Sequence, residues 1–302
     1  MPADPVEEAT RCGFVAIIGA PNAGKSTLVN ALAGTKVSIV SHKVQTTRSR
    51  LRAIVVVGES QIIFVDTPGI FKPKRRLDEA MVEGAWAGAA EADAVILLCD
   101  VRRGLDDDVL LIIDGLKKNV IAAFLALNKI DLVKPEALLD LAAKFNEAFA
   151  FRETFMISAL NGSGVGKLRE RLAALMPEGP WLYAEDQIAD VPLRFLAAET
   201  TREKLYEKLH EELPYASTVE TENWEERKDG SVRIDQVIFV ERKSQRKIVL
   251  GKNGQTIKAL GQAARLELEK AFERRVHLFL FVKVRENWAK DPERLRAMGL
   301  LD

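Results

Sequence analysis

Cysteine and histidine are scarce in this chain, and net charge is missing altogether. Two cysteines, Cys12 and Cys99, stand among 302 residues. Both lie in apolar, strand-like runs, which points to buried reduced thiols and excludes a disulfide framework. The three histidines, His42, His210 and His277, are far apart and lack metal-ligand spacing. Lysine plus arginine equals aspartate plus glutamate, 44 each, so global charge selects no polyanionic partner. No run reaches the ~18 apolar residues that a membrane-spanning helix needs. The acidic start, Met1-Pro2-Ala3-Asp4-Pro5-Val6-Glu7-Glu8, has no apolar core and reads as neither signal nor transit peptide. A cytoplasmic protein of two domains is expected.

What is present begins with Gly19-Ala20-Pro21-Asn22-Ala23-Gly24-Lys25-Ser26-Thr27. This is the form G-x-x-x-x-G-K-S, set between an apolar run (residues 14–18) and a helix-like run (residues 26–32). Such a loop turns backbone N–H groups inward around phosphate oxygens, and the helix start adds partial positive charge. Lys25 would then reach the β- and γ-phosphates, and Ser26 would ligate Mg²⁺.

Strand and helix patterns alternate beyond it. Strands are predicted over 12–18, 53–57, 61–65, 93–100, 121–127 and 154–157, with Gly58-Glu59-Ser60 as a hairpin turn. Helices are predicted up to residue 90, then over 106–116, 135–149 and 165–176. This pattern predicts a mainly parallel sheet with helices on both faces. Short polar motifs fall just past strand ends, where open α/β sheets bind ligands. Asp66-Thr67-Pro68-Gly69 supplies a carboxylate to hold Mg²⁺ through water and a glycine N–H, that of Gly69, to sense a γ-phosphate. Asn128-Lys129-Ile130-Asp131 matches the guanine-recognition element of GTPases: Asp131 would accept from guanine N1–H and N2–H₂, donors adenine does not offer, and Lys129 would lie over the base. Ser158-Ala159 would present a backbone N–H to guanine O6.

Taken in order, these motifs make residues 12–176 resemble a small GTPase domain of the translation-factor-related class, and Gln45-Thr46-Thr47-Arg48 narrows the resemblance to the Era group. The resemblance implies GTP/GDP and Mg²⁺ as ligands, bound by Gly19, Pro21, Asn22, Ala23, Gly24, Lys25, Ser26, Thr27, Asp66, Gly69, Asn128, Lys129, Asp131, Ser158 and Ala159. Lys25, Thr47 and Gly69 would act in hydrolysis, and Ser26, Thr47 and Asp66 would hold magnesium. The sequence does not separate Thr47 from Thr46. The glutamine that orients water in Ras-like enzymes is replaced by Ile70, which offers no hydrogen bond to water. Catalytic help is therefore expected from the backbone of the 44–50 loop or from K⁺ held by Asn22, as in related K⁺-activated GTPases. The competing interpretation of Asn22 is a residue that caps its turn.

Met176-Pro177-Glu178-Gly179-Pro180-Trp181 marks a boundary, giving a linker over 177–190 and a second domain over 191–302. There a charged-face helix (199–213), strands over 216–224 and 231–240 around Asp229-Gly230, helices over 244–250 and 255–272, and a strand over 276–284 make the order α-β-β-α-α-β. Gly251-Lys252-Asn253-Gly254 falls between the two consecutive helices. Residues 241–285 carry 12 Lys and Arg against 4 Asp and Glu, an electrostatic footprint suited to RNA. This α+β half resembles a type II KH domain, whose G-x-x-G loop clamps the backbone of single-stranded nucleotides. Arg246, Lys247, Ile248, Gly251, Lys252, Asn253, Gly254 and Ile257 are the expected RNA contacts, with Leu250 flanking the groove.

The two halves together resemble Era across nearly the whole chain. That implies a GTP-hydrolysing switch that binds the 3′ end of small-subunit (16S) ribosomal RNA and assists assembly of the 30S subunit, with no DNA partner and with peripheral contact at the inner face of the cell membrane. Three other readings remain at this stage. A P-loop ATPase conflicts with Asp131, a K⁺-dependent GTPase of tRNA modification would need a catalytic apparatus not found here, and an RNA-binding module without turnover would bind nucleotide only structurally.

Overall fold

The computed structural model describes residues 10–40, 51–73, 76–190, 192–209, 213–288 and 291. They fall into two compact units, residues 10–38 with 51–190, and residues 39–40 with 192–288 and 291.

The first unit opens on β1 (Arg11–Ile18), whose end turns through the glycine loop into α1 (Lys25–Ala33). Gly34, in a left-handed conformation at φ 69, stops that helix. β2 (Leu51–Val57) and β3 (Ser60–Asp66) form the predicted hairpin. After them come α2 (Arg76–Glu91), β4 (Ala94–Asp100), α3 (Asp107–Lys118), β5 (Phe124–Asn128), α4 (Pro135–Ala148), β6 (Thr154–Ile157) and α5 (Val165–Ala173). The six strands lie in the order β2-β3-β1-β4-β5-β6. All pairs are parallel except β2 with β3, so the mainly parallel sheet expected from the alternating pattern is present with one antiparallel edge.

Burial on both faces explains the continuous apolar strands: all seven residues of β4 are buried. Ala16, Ile18, Val95, Leu97, Leu125 and Leu127 pack with Ala85, Ala89, Val109, Ile112 and Phe145 from α2, α3 and α4. The helices α1 and α5 pack together and against β2 and β3. Asp106 caps α3 by accepting the Val109 N–H at 3.0 Å. The strand read over 121–127 begins only at Phe124; Val120 adopts φ 54, and the chain turns before entering the sheet.

The polar stretch after Met176 is strapped to this unit. The Gln61 side chain, fully buried, accepts the N–H groups of Leu182 and Tyr183 and donates to the Tyr183 carbonyl at 2.8 Å. Ile54 donates its N–H to the Ile188 carbonyl at 2.9 Å.

The second unit contains α6 (Leu193–Lys208), β7 (Ser217–Glu226), β8 (Val232–Val240), α7 (Lys243–Leu250), α8 (Gln255–Phe272) and β9 (Val276–Val284). The α-β-β-α-α-β order is as predicted. Its sheet runs β7-β8-β9, antiparallel between β7 and β8 and parallel between β8 and β9. Asp229 closes the hairpin turn, accepting from the Ser231 N–H at 3.0 Å and hydroxyl at 2.6 Å. Leu205, Tyr206, Ile238, Val240, Val249 and Leu260 form the core.

Two expectations need correction here. The first helix starts at Leu193 behind Pro192 and ends at Lys208, not at 199–213. Its charges do not share an exposed side, because α6 packs against both α8 and β7. Arg202 and Glu203 are therefore buried, and Arg202 donates to Glu199 at 2.7 Å.

Candidate nucleotide site and nucleic-acid interface

Parallel pairing puts the ends of β1, β3, β4, β5 and β6 on one edge of the sheet, with Ile17 opposite Asp66, Asp100 opposite Asn128, and Asn128 opposite Ile157. The loop after β1 needs its glycines. A Cβ on Gly19 would stand 2.4 Å from the Leu98 carbonyl oxygen, and one on Gly24, at φ 100, would stand 2.5 Å from Asn128 Nδ2. This is a backbone cradle with the helix start beneath it, as phosphate binding requires.

Lys25 folds back over the loop. Its Nζ donates to the carbonyls of Gly19 (3.1 Å) and Ala20 (3.0 Å). Burial lowers its pKa to about 8, against the opposing charge of Asp66. Asp66 is fully buried at the end of β3. Its carboxylate and the Ser26 hydroxyl are hard oxygen donors, the set that magnesium takes. Thr67 fixes its own turn by donating to the Ile17 carbonyl at 2.7 Å. Gly69 lies against Pro21, where a Cβ would be 3.1 Å from the proline nitrogen. The next N–H, of Ile70, donates to the Gly19 carbonyl at 3.1 Å. Ile70 is 1 % exposed and packs in the core with Ala20 and Val95. The residue in the glutamine's place is thus a core side chain, a reason for its apolarity that the sequence did not disclose.

Asn128 ties the site together. Its Nδ2 donates to the Ala23 carbonyl at 2.8 Å, and its Oδ1 accepts the Ala159 N–H at 2.9 Å. The Ser158 N–H goes to the Ser163 carbonyl at 2.9 Å. The N–H groups of both Ser158 and Ala159, one of which is expected to face guanine O6, therefore already have internal partners, and Ala159 would serve the base only by sharing its hydrogen with Asn128. Lys129, in a left-handed conformation at φ 68, donates to the Asn22 carbonyl and to Asp100 Oδ2, each at 2.7 Å. Asp131 is exposed on the short turn Ile130–Leu132 that follows. Asn22 (φ 63) and its side chain are exposed. Thr46 and Thr47, and the rest of the 44–50 loop, lie outside the described residues.

Asp100 is a residue that the sequence reading passed over. Burial would raise its carboxyl, yet hydrogen bonds from Arg102 and Lys129 hold the pKa down at about 2. It keeps the Lys129 stem in place beside the loop. The signal was its position at a strand end, the same position as Asp66. Cys99 beside it is buried, and desolvation pushes its thiol upward, as expected for an inert core cysteine.

In the second unit, the loop between α7 and α8 carries three residues at positive φ: Gly251 (φ 73), Asn253 (φ 53) and Gly254 (φ 75). A Cβ on Gly251 would stand 2.1 Å from Thr256 Oγ1. Lys252 and Asn253 are exposed at the tip. Ile248 is 56 % exposed on α7, while Ile257 and Leu250 are partly buried against the core. Lys247 is exposed; Arg246 donates to the Val282 carbonyl at 3.2 Å. The basic segment does not form one patch. Arg274 and Arg275 follow the far end of α8, and its 18 residues span about 27 Å. Arg274 there pairs with Glu226 at 3.2 Å and lies over the Trp224 ring.

The fold and the strand-end motifs define a P-loop GTPase domain followed by a KH domain. Family models agree: one described as 50S ribosome-binding GTPase matches residues 14–129, and one described as KH domain matches residues 212–289. The chain belongs to the Era family. It is 64 % identical over 291 residues to GTPase Era of Brucella suis biovar 1, covering 96 % of this chain and 94 % of the relative. To GTPase Era of Agrobacterium fabrum it is 65 % identical over 291 residues, covering 96 % and 92 %. Among solved structures, Aquifex aeolicus Era bound to GDP·AlF4⁻ superposes with a TM-score of 0.91 at 38 % identity, covering 97 % of this chain and 100 % of that one. Era in complex with MgGDPNP and nucleotides 1506–1542 of 16S ribosomal RNA gives 0.90 at 37 % identity, with the same coverage.

Proposed function

We propose that this chain is a GTP-hydrolysing switch that binds the 3′ end of 16S ribosomal RNA and acts in assembly of the small (30S) ribosomal subunit. One observation carries the proposal: the likeness to an Era that holds MgGDPNP and ribosomal RNA together spans both units. Lys25 would neutralise β- and γ-phosphate charge. Ser26, Thr47 and Asp66 would hold Mg²⁺, which when bound polarises the terminal phosphates. Lys129 and Asp131 would select guanine. Lys247, Ile248, residues 251–254 and Ile257 would hold single-stranded RNA, with the backbone approaching at the glycines. Its place of work is the cytoplasm. Among the described residues no helix is long and apolar enough to cross a membrane, so any contact with the inner membrane face would be peripheral.

GTP and RNA must influence one another reciprocally if one controls the other's binding. The test is RNA affinity with GTP analogue, with GDP and without nucleotide, using a small-subunit 3′-terminal oligonucleotide and a scrambled control. Preference for the terminal sequence, strongest with the GTP analogue, is expected. Equal affinity for both RNAs in all three states would refute the proposal.

Asn22 would hold K⁺, which supplies the positive charge that an arginine finger supplies elsewhere. Its exposed side chain at the loop supports this reading. Turnover should be roughly tenfold higher in KCl than in NaCl at equal ionic strength, and Asn22→Ala should remove the difference. Equal turnover of the parent protein in both salts would dismiss potassium.

A further inference from the structure

A polar network beside Asp66 has no part in the roles assigned above. Asn30 lies on α1, the helix that the glycine loop starts. Its Oδ1 accepts the N–H groups of Val37 (2.9 Å) and Ser38 (2.8 Å), and its Nδ2 donates to the Ser38 carbonyl at 2.8 Å. Three hydrogen bonds from one side chain thus fix the backbone at 37–38 against the helix. From that fixed backbone the Ser38 hydroxyl donates to Asp66 Oδ2 at 2.6 Å. Ser38 is 3 % exposed and Asp66 is not exposed at all.

A carboxylate has a broad terminal torsion and does not set its own direction. A buried hydrogen bond of this length does so, because rotating the carboxylate would break it and leave the Ser38 hydroxyl, itself buried, without that acceptor. With Oδ2 held by Ser38, the direction of Oδ1 is set as well. An anchor for the loop would require only the Asn30 contacts; the hydroxyl reaching a functional carboxylate is the additional observation.

We propose that Ser38 is a positioning residue for magnesium: Asn30 holds it in place, and its hydroxyl orients Asp66 toward the ion that Ser26 ligates. This rests on the Mg²⁺·GTP reading of the site. Groups of this kind, one bond removed from the metal, commonly change metal affinity by about 10–100-fold when removed.

The full-length protein and its Ser38→Ala, Ser38→Thr and Ser38→Cys variants are titrated with a fluorescent, non-hydrolysable GTP analogue, once with MgCl2 and once with excess EDTA. Ser38→Ala should bind roughly tenfold more weakly with magnesium and within about twofold of the parent in EDTA. Ser38→Thr, which keeps the hydroxyl, should restore the magnesium-dependent gain. Ser38→Cys, a weak donor, should fall between, and it carries the same comparison if the alanine variant does not fold. An equal loss with and without magnesium would reduce Ser38 to an anchor of the loop and overturn the proposal, as would an unchanged gain from magnesium. If the parent itself gains nothing from magnesium, the magnesium reading fails and the proposal falls with it.

Discussion

Gly254→Asp should weaken binding of the small-subunit 3′-terminal oligonucleotide by roughly 100-fold, about 2.7 kcal/mol, while leaving the protein folded. The expectation comes from the geometry of the loop between α7 and α8. Gly254 sits at φ 75 with no atom within 4 Å of the position a Cβ would take. Aspartate tolerates the left-handed region better than most residues, so the strain is on the order of 1 kcal/mol. What it adds is negative charge at the place where a phosphate would approach the backbone. Gly251→Ala is the contrasting variant. Its Cβ would stand 2.1 Å from Thr256 Oγ1 and 2.8 Å from the Thr256 nitrogen, at φ 73. The loop would have to move, so stability and RNA binding should both fall. Thermal melting beside fluorescence anisotropy separates the two: Gly254→Asp should melt within a few degrees of the parent and Gly251→Ala clearly below it. Anisotropy that leaves Gly254→Asp within threefold of the parent would mean that this loop is not the phosphate clamp.

Asp131→Asn should exchange the preferred base. A carboxylate accepts from both guanine N1–H and N2–H₂. A carboxamide accepts from one and turns its NH₂ against the other, so GTP affinity should drop by roughly 10²–10³-fold. Xanthine carries a C2 carbonyl where guanine carries an amine, and the new NH₂ suits it. XTP should therefore compete better than GTP against the variant, with ATP weak for both proteins. The surroundings allow a clean exchange: Asp131 is exposed on its turn, and that turn is fixed by the Leu132 N–H donating to the Lys129 carbonyl at 3.0 Å. A variant that still prefers GTP to XTP would remove Asp131 from base recognition.

Much of the site was legible because its parts are local. A glycine loop between a strand and a helix is a statement about a few consecutive dihedrals, and Gly19 and Gly24 hold the conformations that their motif implies. Strand ends can be read from apolar runs, and a parallel sheet then brings those ends to one edge without further information. The same holds for Gly251-Lys252-Asn253-Gly254, placed by the helices on either side of it.

Other features depend on residues remote in sequence. Ile70 looked like a missing catalytic group; packing against Ala20 and Val95 makes it a core residue. The basic residues concentrated along 241–285 are close in sequence, but the length of α8 separates Lys252 from Arg274. In sequence the first helix of this half reads as carrying its charges on one side, whereas α6 packs against both α8 and β7 and its Arg202 and Glu203 are buried.

The sequence by itself determined the order of elements, the two-domain plan, the glycine loops and the strand-end and loop motifs proposed to meet phosphate, guanine and RNA, since each depends on short-range conformation and residue chemistry. Only the tertiary structure decided which carboxylates are held and by what. Asn128 bridging Ala23 and Ala159, Asp100 fixing Lys129, and Asn30 with Ser38 fixing Asp66 are hydrogen bonds between separate elements. No periodicity encodes them, because a hydrogen bond is specified by distance and direction in space, and the sheet sets both.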